Sequence, residues 1–116
     1  MAEARSAEVA VARELTAFQK NILTVLAEQP RYGLAIKREL ESYYDDEVNH
    51  GRLYPNLDDL VSEGFVEKSA LDKRTNEYAL TDAGMEAVKD DLTWSLEHFV
   101  TDSERAELVD AIVDEA

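Results

Sequence analysis

Three features of the 116-residue sequence predict an α+β fold that is mostly helical. Apolar residues recur at helical spacing through most of the chain. After Gly64, two short β-segments flank a charged loop, residues 72–75. The helix before Gly64 has a polar, partly basic front end, residues 49–56. Helix, stop, strand, basic loop and strand is the layout of a winged helix-turn-helix, and we expect the C-terminal helix to add a dimer interface beside it.

The first two predicted helices have clear boundaries in the sequence. Thr16 with Gln19 three residues later fits a capping box, and Pro30 ends the helix that follows. Residues 32–33 begin the second helix, and residues 45–47 read as a solvated loop after it. We expect apolar contacts from Phe18, Ile22, Leu23, Val25 and Leu26 in the first helix and from Leu34, Ile36, Leu40 and Tyr43 in the second.

The third helix and the hairpin follow from capping and strand signals. Asn49 is a good N-cap, and Gly64 follows the helix as a C′ glycine. Pro55 is tolerated because it stands near the start of the helix. The buried face is predicted to contain Leu53, Leu57, Leu60 and Val61. Residues 65–71 and 76–80 are the predicted strands, and their loop lacks Gly, which indicates more than a two-residue turn.

The last third of the chain is predicted to form a long helix from Thr81 and, after a break at residues 101–103, a short terminal helix. Its apolar residues exceed what one small winged helix needs to cover, and exposed apolar stripes usually mark a partner surface. The alternative is extra packing in the core. We expect dimer contacts from Leu15, Phe18, Leu92, Trp94, Leu96, Phe99 and Val100.

The net charge of −14 and the pI near 4.4 argue by themselves against a nucleic-acid partner, because a polyanion repels a polyanion. The distribution of the charged side chains along the sequence weakens this argument against nucleic acid. Residues 81–116 carry 2 basic and 11 acidic side chains, whereas residues 31–80 carry 7 and 11. Acids dispersed over every element, with only 5 Lys, favour adaptation to very high internal salt. The alternative is an ordinary acidic protein at ordinary salt.

Several function classes find no support in the sequence. The chain has no cysteine, which excludes disulfides and thiolate metal sites, and no apolar run approaches the ~18 residues that span a membrane. It has only two histidines, no phosphate-binding glycine loop and no nucleophile motif. We therefore expect a cytoplasmic protein that is not an enzyme, with no metal site and no cofactor.

The polar front of the third helix is the first candidate DNA-binding site. A recognition helix places its N-terminal residues at the base edges of the major groove. Arg52 has the geometry for a bidentate contact to guanine, and Asn56 or Asn49 for adenine. The alternative is an amphipathic helix with a solvated face, with Tyr54 in the core. The predicted contacts are Asn49, His50, Gly51, Arg52, Tyr54 and Asn56.

The hairpin loop is the second candidate site. Basic residues at a hairpin tip reach phosphates or a narrow minor groove, and neutral polar residues add phosphate contacts. The alternative is an ordinary charged loop. The predicted contacts are Lys73, Arg74, Thr75 and Asn76, with further backbone contacts from Arg31, Lys37 and Arg38.

Several of these segments resemble the PadR-like winged-helix transcriptional regulators. The similarity is carried by Leu53-Tyr54-Pro55-Asn56-Leu57, Leu60, Glu63-Gly64, Tyr78 and Leu80-Thr81-Asp82-Ala83-Gly84, and by Tyr32-Gly33, Ile36 and Glu39-Leu40 in the second helix. It covers roughly residues 15–100. The chain departs from many members at His50-Gly51-Arg52, which bears on sequence preference. With its acidity, the chain looks like a haloarchaeal member.

The resemblance implies a homodimer, held by N- and C-terminal helices, that binds operator DNA and regulates transcription, with a role in stress response. A dimer places two recognition helices over a palindromic site in double-stranded DNA. The dispersed acids add the expectation that it acts at high intracellular salt. The implied domains are an N-terminal arm or helix in residues 1–15, a winged-helix DNA-binding domain in 16–84, and a C-terminal dimerisation helix and tail in 85–116. The alternative function is a winged-helix protein–protein interaction module that does not bind DNA.

Overall fold

The computed structural model describes residues 10–70, 72 and 75–116. Most of the predicted N-terminal arm, Leu71, and the predicted DNA contacts Lys73 and Arg74 lie outside the described residues. Residues 10–13 are helical. The elements that follow are α1 (Ala17–Glu28), β1 (Arg31–Tyr32), α2 (Gly33–Tyr44), α3 (His50–Ser62), β2 (Val66–Ala70), β3 (Asn76–Leu80), α4 (Asp82–Phe99) and α5 (Ser103–Glu115).

The helix boundaries predicted from capping residues are confirmed. The Thr16 side chain and the Gln19 side chain form both hydrogen bonds of the capping box at the start of α1. The Asn49 side chain accepts from the Gly51 N–H at the start of α3, and Asp102 caps α5. Gly64 has a φ of +86°, the left-handed conformation that a C′ glycine supplies at low cost.

The sheet has one strand more than the sequence predicted. The strand order is β1-β3-β2, with both pairs antiparallel, and Arg31 is opposite Tyr78. A two-residue strand is too short to show the period-2 pattern that identifies strands in a sequence. At the other edge, β2 begins at Val66 because the Phe65 N–H is bonded to the Leu60 carbonyl, which closes the end of α3.

One core joins α1, α2, α3 and the sheet. It contains Ala12, Phe18, Ile22, Leu23, Leu26, Ile36, Leu40, Val48, Leu53, Leu57, Leu60, Phe65, Val66, Tyr78 and Ala87. Two residues that were predicted to make apolar contacts in α2 are instead exposed. Leu34 is two residues from Ile36 and therefore points away from the core, and Tyr43 lies in the last turn, where its ring contacts Tyr44.

The two C-terminal helices contribute little to this core. The buried residues of α4 are Gly84 and Ala87, both in its first two turns, and α5 has no buried residue. No helix in the described part of the chain is long and apolar enough to cross a membrane. The apolar side chains beyond the second turn of α4 therefore lie at the surface of the single chain.

Candidate nucleic-acid interface

Helix α3 separates an apolar face from a polar front. Leu53, Leu57 and Leu60 have no exposed surface, which fixes the rotation of the helix on the core. His50 and Arg52 in the first turn are exposed, at the positive end of the helix dipole. The acidic residues Asp58, Asp59 and Glu63 are exposed toward the other end. The surface of α3 therefore changes from polar and basic to acidic along its length.

Arg52 lies over an aromatic ring of the same chain. Its Cζ atom is 3.9 Å from the centroid of the Phe18 ring in α1. Among the described residues, no carboxylate oxygen lies within the 4.0 Å of an ion pair with Arg52. The predicted guanine-reading residue is thus held at the surface by a cation–π contact.

Phe18 was predicted both in the apolar stripe of α1 and at the dimer contact. It is 4% exposed and belongs to the core of the single chain, so its part in a dimer contact stays a prediction. Its ring also stacks on Tyr44 at a centroid distance of 6.2 Å. The wide apolar stripe of α1 includes both core and interface positions, and the sequence alone does not separate them.

His50 and Tyr54 form a second ring contact on α3. Their rings are stacked at a centroid distance of 5.5 Å, one helical turn apart. Tyr54 is half-buried, and a Cβ on Gly33 would lie 2.6 Å from its hydroxyl oxygen. Gly33 therefore gives the Tyr54 ring room to lie against the start of α2, which connects two motifs that are separated in the sequence.

The two asparagines of the front have intramolecular hydrogen bonds. The Asn49 Oδ1 accepts from the Gly51 N–H at 2.7 Å, so this side chain caps α3. The Asn56 Nδ2 donates to the Arg52 carbonyl at 2.7 Å. An amide has two N–H donors and a carbonyl acceptor, so Asn56 keeps the pair of groups that adenine recognition uses.

The loop that leads into α3 is fixed by Glu41. Its Oε2 accepts from the Val48 N–H at 2.9 Å and from the Lys37 Nζ at 2.9 Å. These two hydrogen bonds, the one from Val48 first, hold the pKa of the Glu41 carboxyl below its ordinary value. Lys37, a predicted DNA contact, therefore has a carboxylate partner within the chain.

Arg31 also has partners within the chain. Its side chain is 12% exposed and forms ion pairs with Glu28 and Glu39, the latter at 3.6 Å. Its Nε donates to the Val25 carbonyl at 3.4 Å, which links the end of α1 to β1. Arg38 is exposed on α2.

The base of the wing and the starts of α2 and α3 border a cleft of about 330 Å³. Thr75 and Asn76 are half-buried there, and the Thr75 N–H donates to Asp72 Oδ1 at 2.9 Å. The cleft is also lined by Tyr32 and Leu34, each 46% exposed. Sequence analysis did not identify Tyr32 and Leu34 as site residues, although Leu34 can be recognised by its position off the apolar stripe of α2.

The predicted dimer residues of α4 are mostly exposed. Leu92, Trp94 and Phe99 are 56%, 58% and 43% exposed, and Leu96, Val100 and Leu15 are half-buried. Helix α5 adds three apolar side chains that the predicted site did not include, Leu108, Ile112 and Val113, at 52% to 65% exposure. Their i, i+4, i+5 spacing places them on one side of α5.

Within the described residues, no group of three or more His, Asp or Glu could hold a metal ion.

The sequence and the structure of the chain are both similar to those of known proteins. The model of the transcriptional regulator PadR-like family matches residues 22–90. The chain is 72% identical in sequence to the structure of H. salinarum RosR grown from NaBr. The alignment covers 90% of this chain and 94% of the RosR chain, with a TM-score of 0.89. The complex structure hsRosR-S4 is 69% identical over 93% of this chain and 94% of that chain, with a TM-score of 0.91.

A more distant similarity concerns the fold alone. A transcriptional regulator from Clostridium thermocellum is 20% identical and covers 84% of this chain and 86% of its own, with a TM-score of 0.58. No curated protein sequence matches the chain. Because the family match spans more than half of the chain and the similarity to RosR spans nine-tenths of it, the chain belongs to the PadR-like family of transcriptional regulators.

Proposed function

We propose that this chain regulates transcription as a homodimer that binds operator DNA with the front of α3. The observation that carries the proposal is the asymmetry of α3: its basic and polar side chains are exposed at the helix N-terminus, and its acids at the other end. An anionic duplex is attracted by the first and repelled by the second. In a chain of net charge −14, this arrangement makes one end of α3 the favourable surface for DNA.

Within this interface we give the residues different roles. Arg52 reads guanine and Asn56 reads adenine, with His50 and Tyr54 beside them as a stacked pair. Asn49 and Gly51 shape the first turn. The wing residues Lys73, Arg74, Thr75 and Asn76 contact the backbone or the minor groove. We propose that the cleft lined by Tyr32 and Leu34 faces the sugar–phosphate strand between helix and wing.

The intramolecular partners of Arg31 and Lys37 favour a supporting role for both. Each would have to leave a carboxylate to contact a phosphate. We propose that Arg31 joins β1 to the helices and that Lys37 helps to fix the loop before α3. Arg38 is exposed and stays a candidate for a backbone contact.

We propose that residues 85–116 form the dimer contact and that residues 16–84 form the DNA-binding unit. Helix α4 begins at Asp82 and runs through the boundary between them. The exposed apolar residues of α4 and α5 supply the contact surface. A two-fold dimer presents two α3 helices to successive major grooves about one DNA turn apart, which suits a palindromic operator. A role in stress response stays a prediction.

The proposal is tested by DNA binding at about 2 M KCl, where surface charges are strongly screened. The probes are genomic fragments that include the promoter of the protein's own gene, and random-sequence duplexes. We expect the unaltered protein to prefer one or more fragments over random DNA. Arg52→Ala should lose about 1–3 kcal/mol of this preference, the range for one bidentate base contact.

Lys89→Ala is the matched control, because it removes an exposed positive charge that is neither on α3 nor among the apolar residues proposed for the dimer contact. Lys89 pairs with Glu86 at the surface of α4. This variant should bind as the unaltered protein does. If the unaltered protein bound no fragment more tightly than random DNA, the proposal would be wrong. The alternative, a winged-helix protein-interaction module, would then be the better interpretation.

A further inference from the structure

We infer that Phe18 is a positioning residue for base recognition: its ring holds the Arg52 guanidinium in the orientation that reads a guanine. This inference rests on the proposed contact between Arg52 and DNA. It assigns to a core residue of α1 a part in the sequence preference of α3. The contact that carries it is the 3.9 Å separation between the Arg52 Cζ atom and the Phe18 ring centroid.

The chemistry of the guanidinium explains why a ring is a suitable support. The group is planar, and its N–H donors lie in the plane. A carboxylate partner would occupy those donors, and the bond would have to break before guanine could be read. An aromatic ring instead occupies a face of the guanidinium and leaves the N–H edge available for a bidentate contact.

Five of the eight other basic residues in the described chain show the contrast, while Arg105 also lies over a ring, that of Phe99 at 5.4 Å. Ion pairs with carboxylates hold Arg13, Lys20, Arg31, Lys37 and Lys89. With 26 acidic residues in the sequence, a carboxylate is the commonest partner available to a cation. The partner of Arg52 is instead an uncharged ring. Its donor edge is therefore not committed to a carboxylate of the described residues.

Phe18 is itself held in place. It is 4% exposed, and Tyr44 stacks on it at 6.2 Å with an angle of 17° between the rings. The Tyr44 hydroxyl accepts a hydrogen bond from Asn21 Nδ2 at 2.8 Å. This series of contacts, from Asn21 through Tyr44 and Phe18 to Arg52, restricts the side chain that would otherwise have the most freedom on α3. An ordered side chain loses less conformational entropy when it binds.

The test compares Phe18→Leu, Arg52→Ala and the double variant. Leucine keeps an apolar side chain in the core but removes the ring. The probes are duplexes that the unaltered protein selects from a randomised pool, together with the same duplexes altered one base pair at a time. Arg52→Ala identifies the base pair that Arg52 reads, as the position where discrimination is lost.

We expect Phe18→Leu to lose roughly tenfold in discrimination at that same base pair and to keep its preferences elsewhere. In the Arg52→Ala background, Phe18→Leu should cause no further loss at that position, because Phe18 acts through Arg52. Leu26→Val is the control for core damage, since it shortens a buried side chain of α1 that lies two turns beyond Phe18. It should leave the base preferences unchanged. Thermal unfolding in the same salt establishes that each variant is folded.

Two results would overturn the inference, and they differ from failure of the proposed function. If Phe18→Leu kept full discrimination, or weakened binding to all duplexes equally as a loss of stability does, Phe18 would be a core residue only. If Phe18→Leu did not fold, Phe18→Met would replace it under the same criteria. If Arg52→Ala itself changed no preference, the proposed role of Arg52 would fail first, and the role of Phe18 would fail with it.

Discussion

Gly84 marks the point where α4 passes over the start of β2. A Cβ on this residue would lie 2.1 Å from the Phe65 carbonyl oxygen, far inside van der Waals contact. The obstacle is backbone, which cannot rotate away as a side chain can. The same carbonyl accepts a hydrogen bond from the Thr81 N–H at 3.1 Å, which holds it in place. Glycine at this position sets how closely α4 approaches the sheet.

We predict that Gly84→Ala lowers the free energy of unfolding by about 1–3 kcal/mol, the usual cost of overpacking. Gly51→Ala is the control, because its added methyl meets only the Asn49 side chain, at 3.2 Å, and alanine favours the helix. Its effect should stay within about 1 kcal/mol. The measurement is chemical denaturation of both variants in one salt. Equal stability of Gly84→Ala and the unaltered protein would contradict this account of α4 packing.

The loop between α2 and α3 is anchored by a single carboxylate. Glu41 binds the Val48 N–H and Lys37, and Val48 is buried beside the start of α3. Since the pKa of Glu41 is lowered in the folded chain, ionised Glu41 stabilises the fold. That contribution is present above the unfolded pKa of Glu41 and is lost as the pH falls through its lowered, folded pKa.

We predict that Glu41→Gln is less stable than the unaltered protein at neutral pH, because an amide is a weaker acceptor for the Val48 N–H and leaves Lys37 without its ion pair. The difference should shrink as the pH falls through the lowered pKa, where Glu41 also becomes neutral. Denaturation midpoints at a series of pH values measure this. Glu47→Gln, at an exposed residue of the loop between α2 and α3, serves as the control for a lost charge. A difference that stayed constant with pH would contradict the role of the ionised carboxylate.

At the scale of the whole molecule, α5 has no buried residue in the single chain. A helix whose apolar side is exposed gains little from forming by itself, because helices in proteins are stabilised mostly by packing. Ile112 and Val113 are each 65% exposed, and Leu108 is 52% exposed. A second copy of the chain is the partner that the proposed homodimer supplies.

We predict that Ile112→Lys converts the dimer to a monomer and weakens operator binding by at least about tenfold, because both α3 helices are needed for a full site. Glu107→Lys introduces a lysine on the opposite side of α5, with a larger change in net charge, and should stay dimeric. Light scattering in molar KCl measures the mass of each variant. A dimeric Ile112→Lys variant would exclude this face as the contact.

We also predict a shallow dependence of DNA binding on salt. Counterion release is a weak driving force when the bulk salt is already molar, so affinity has to come from base-edge hydrogen bonds, DNA shape and apolar contact. Binding constants should therefore change little between about 0.5 and about 2 M KCl. A steep loss of binding over that range, with the protein still folded, would refute the prediction.

The sequence by itself determined the fold class and most element boundaries. Capping residues such as Thr16, Asn49 and Asp102 bind backbone groups only two or three residues away. Their effect is therefore local and can be recognised in the sequence. The leucines of α3 were identified as buried for the same reason, since one face of a helix repeats at a fixed period. The buried leucines set the rotation of α3 about its axis, and the DNA contacts of its polar front were predicted from that rotation. These DNA contacts stay predictions.

Only the tertiary structure decided which partners meet across the chain. It paired β1 with β3 and placed Arg52 over the Phe18 ring, and neither contact is encoded by local spacing. Phe18 was assigned to a dimer contact for a related reason. An apolar stripe predicts that a helix face is buried, but it does not indicate whether the surface that covers this face belongs to the same chain or to a second copy. Burial depends on the approach of distant segments, which the complete fold alone specifies.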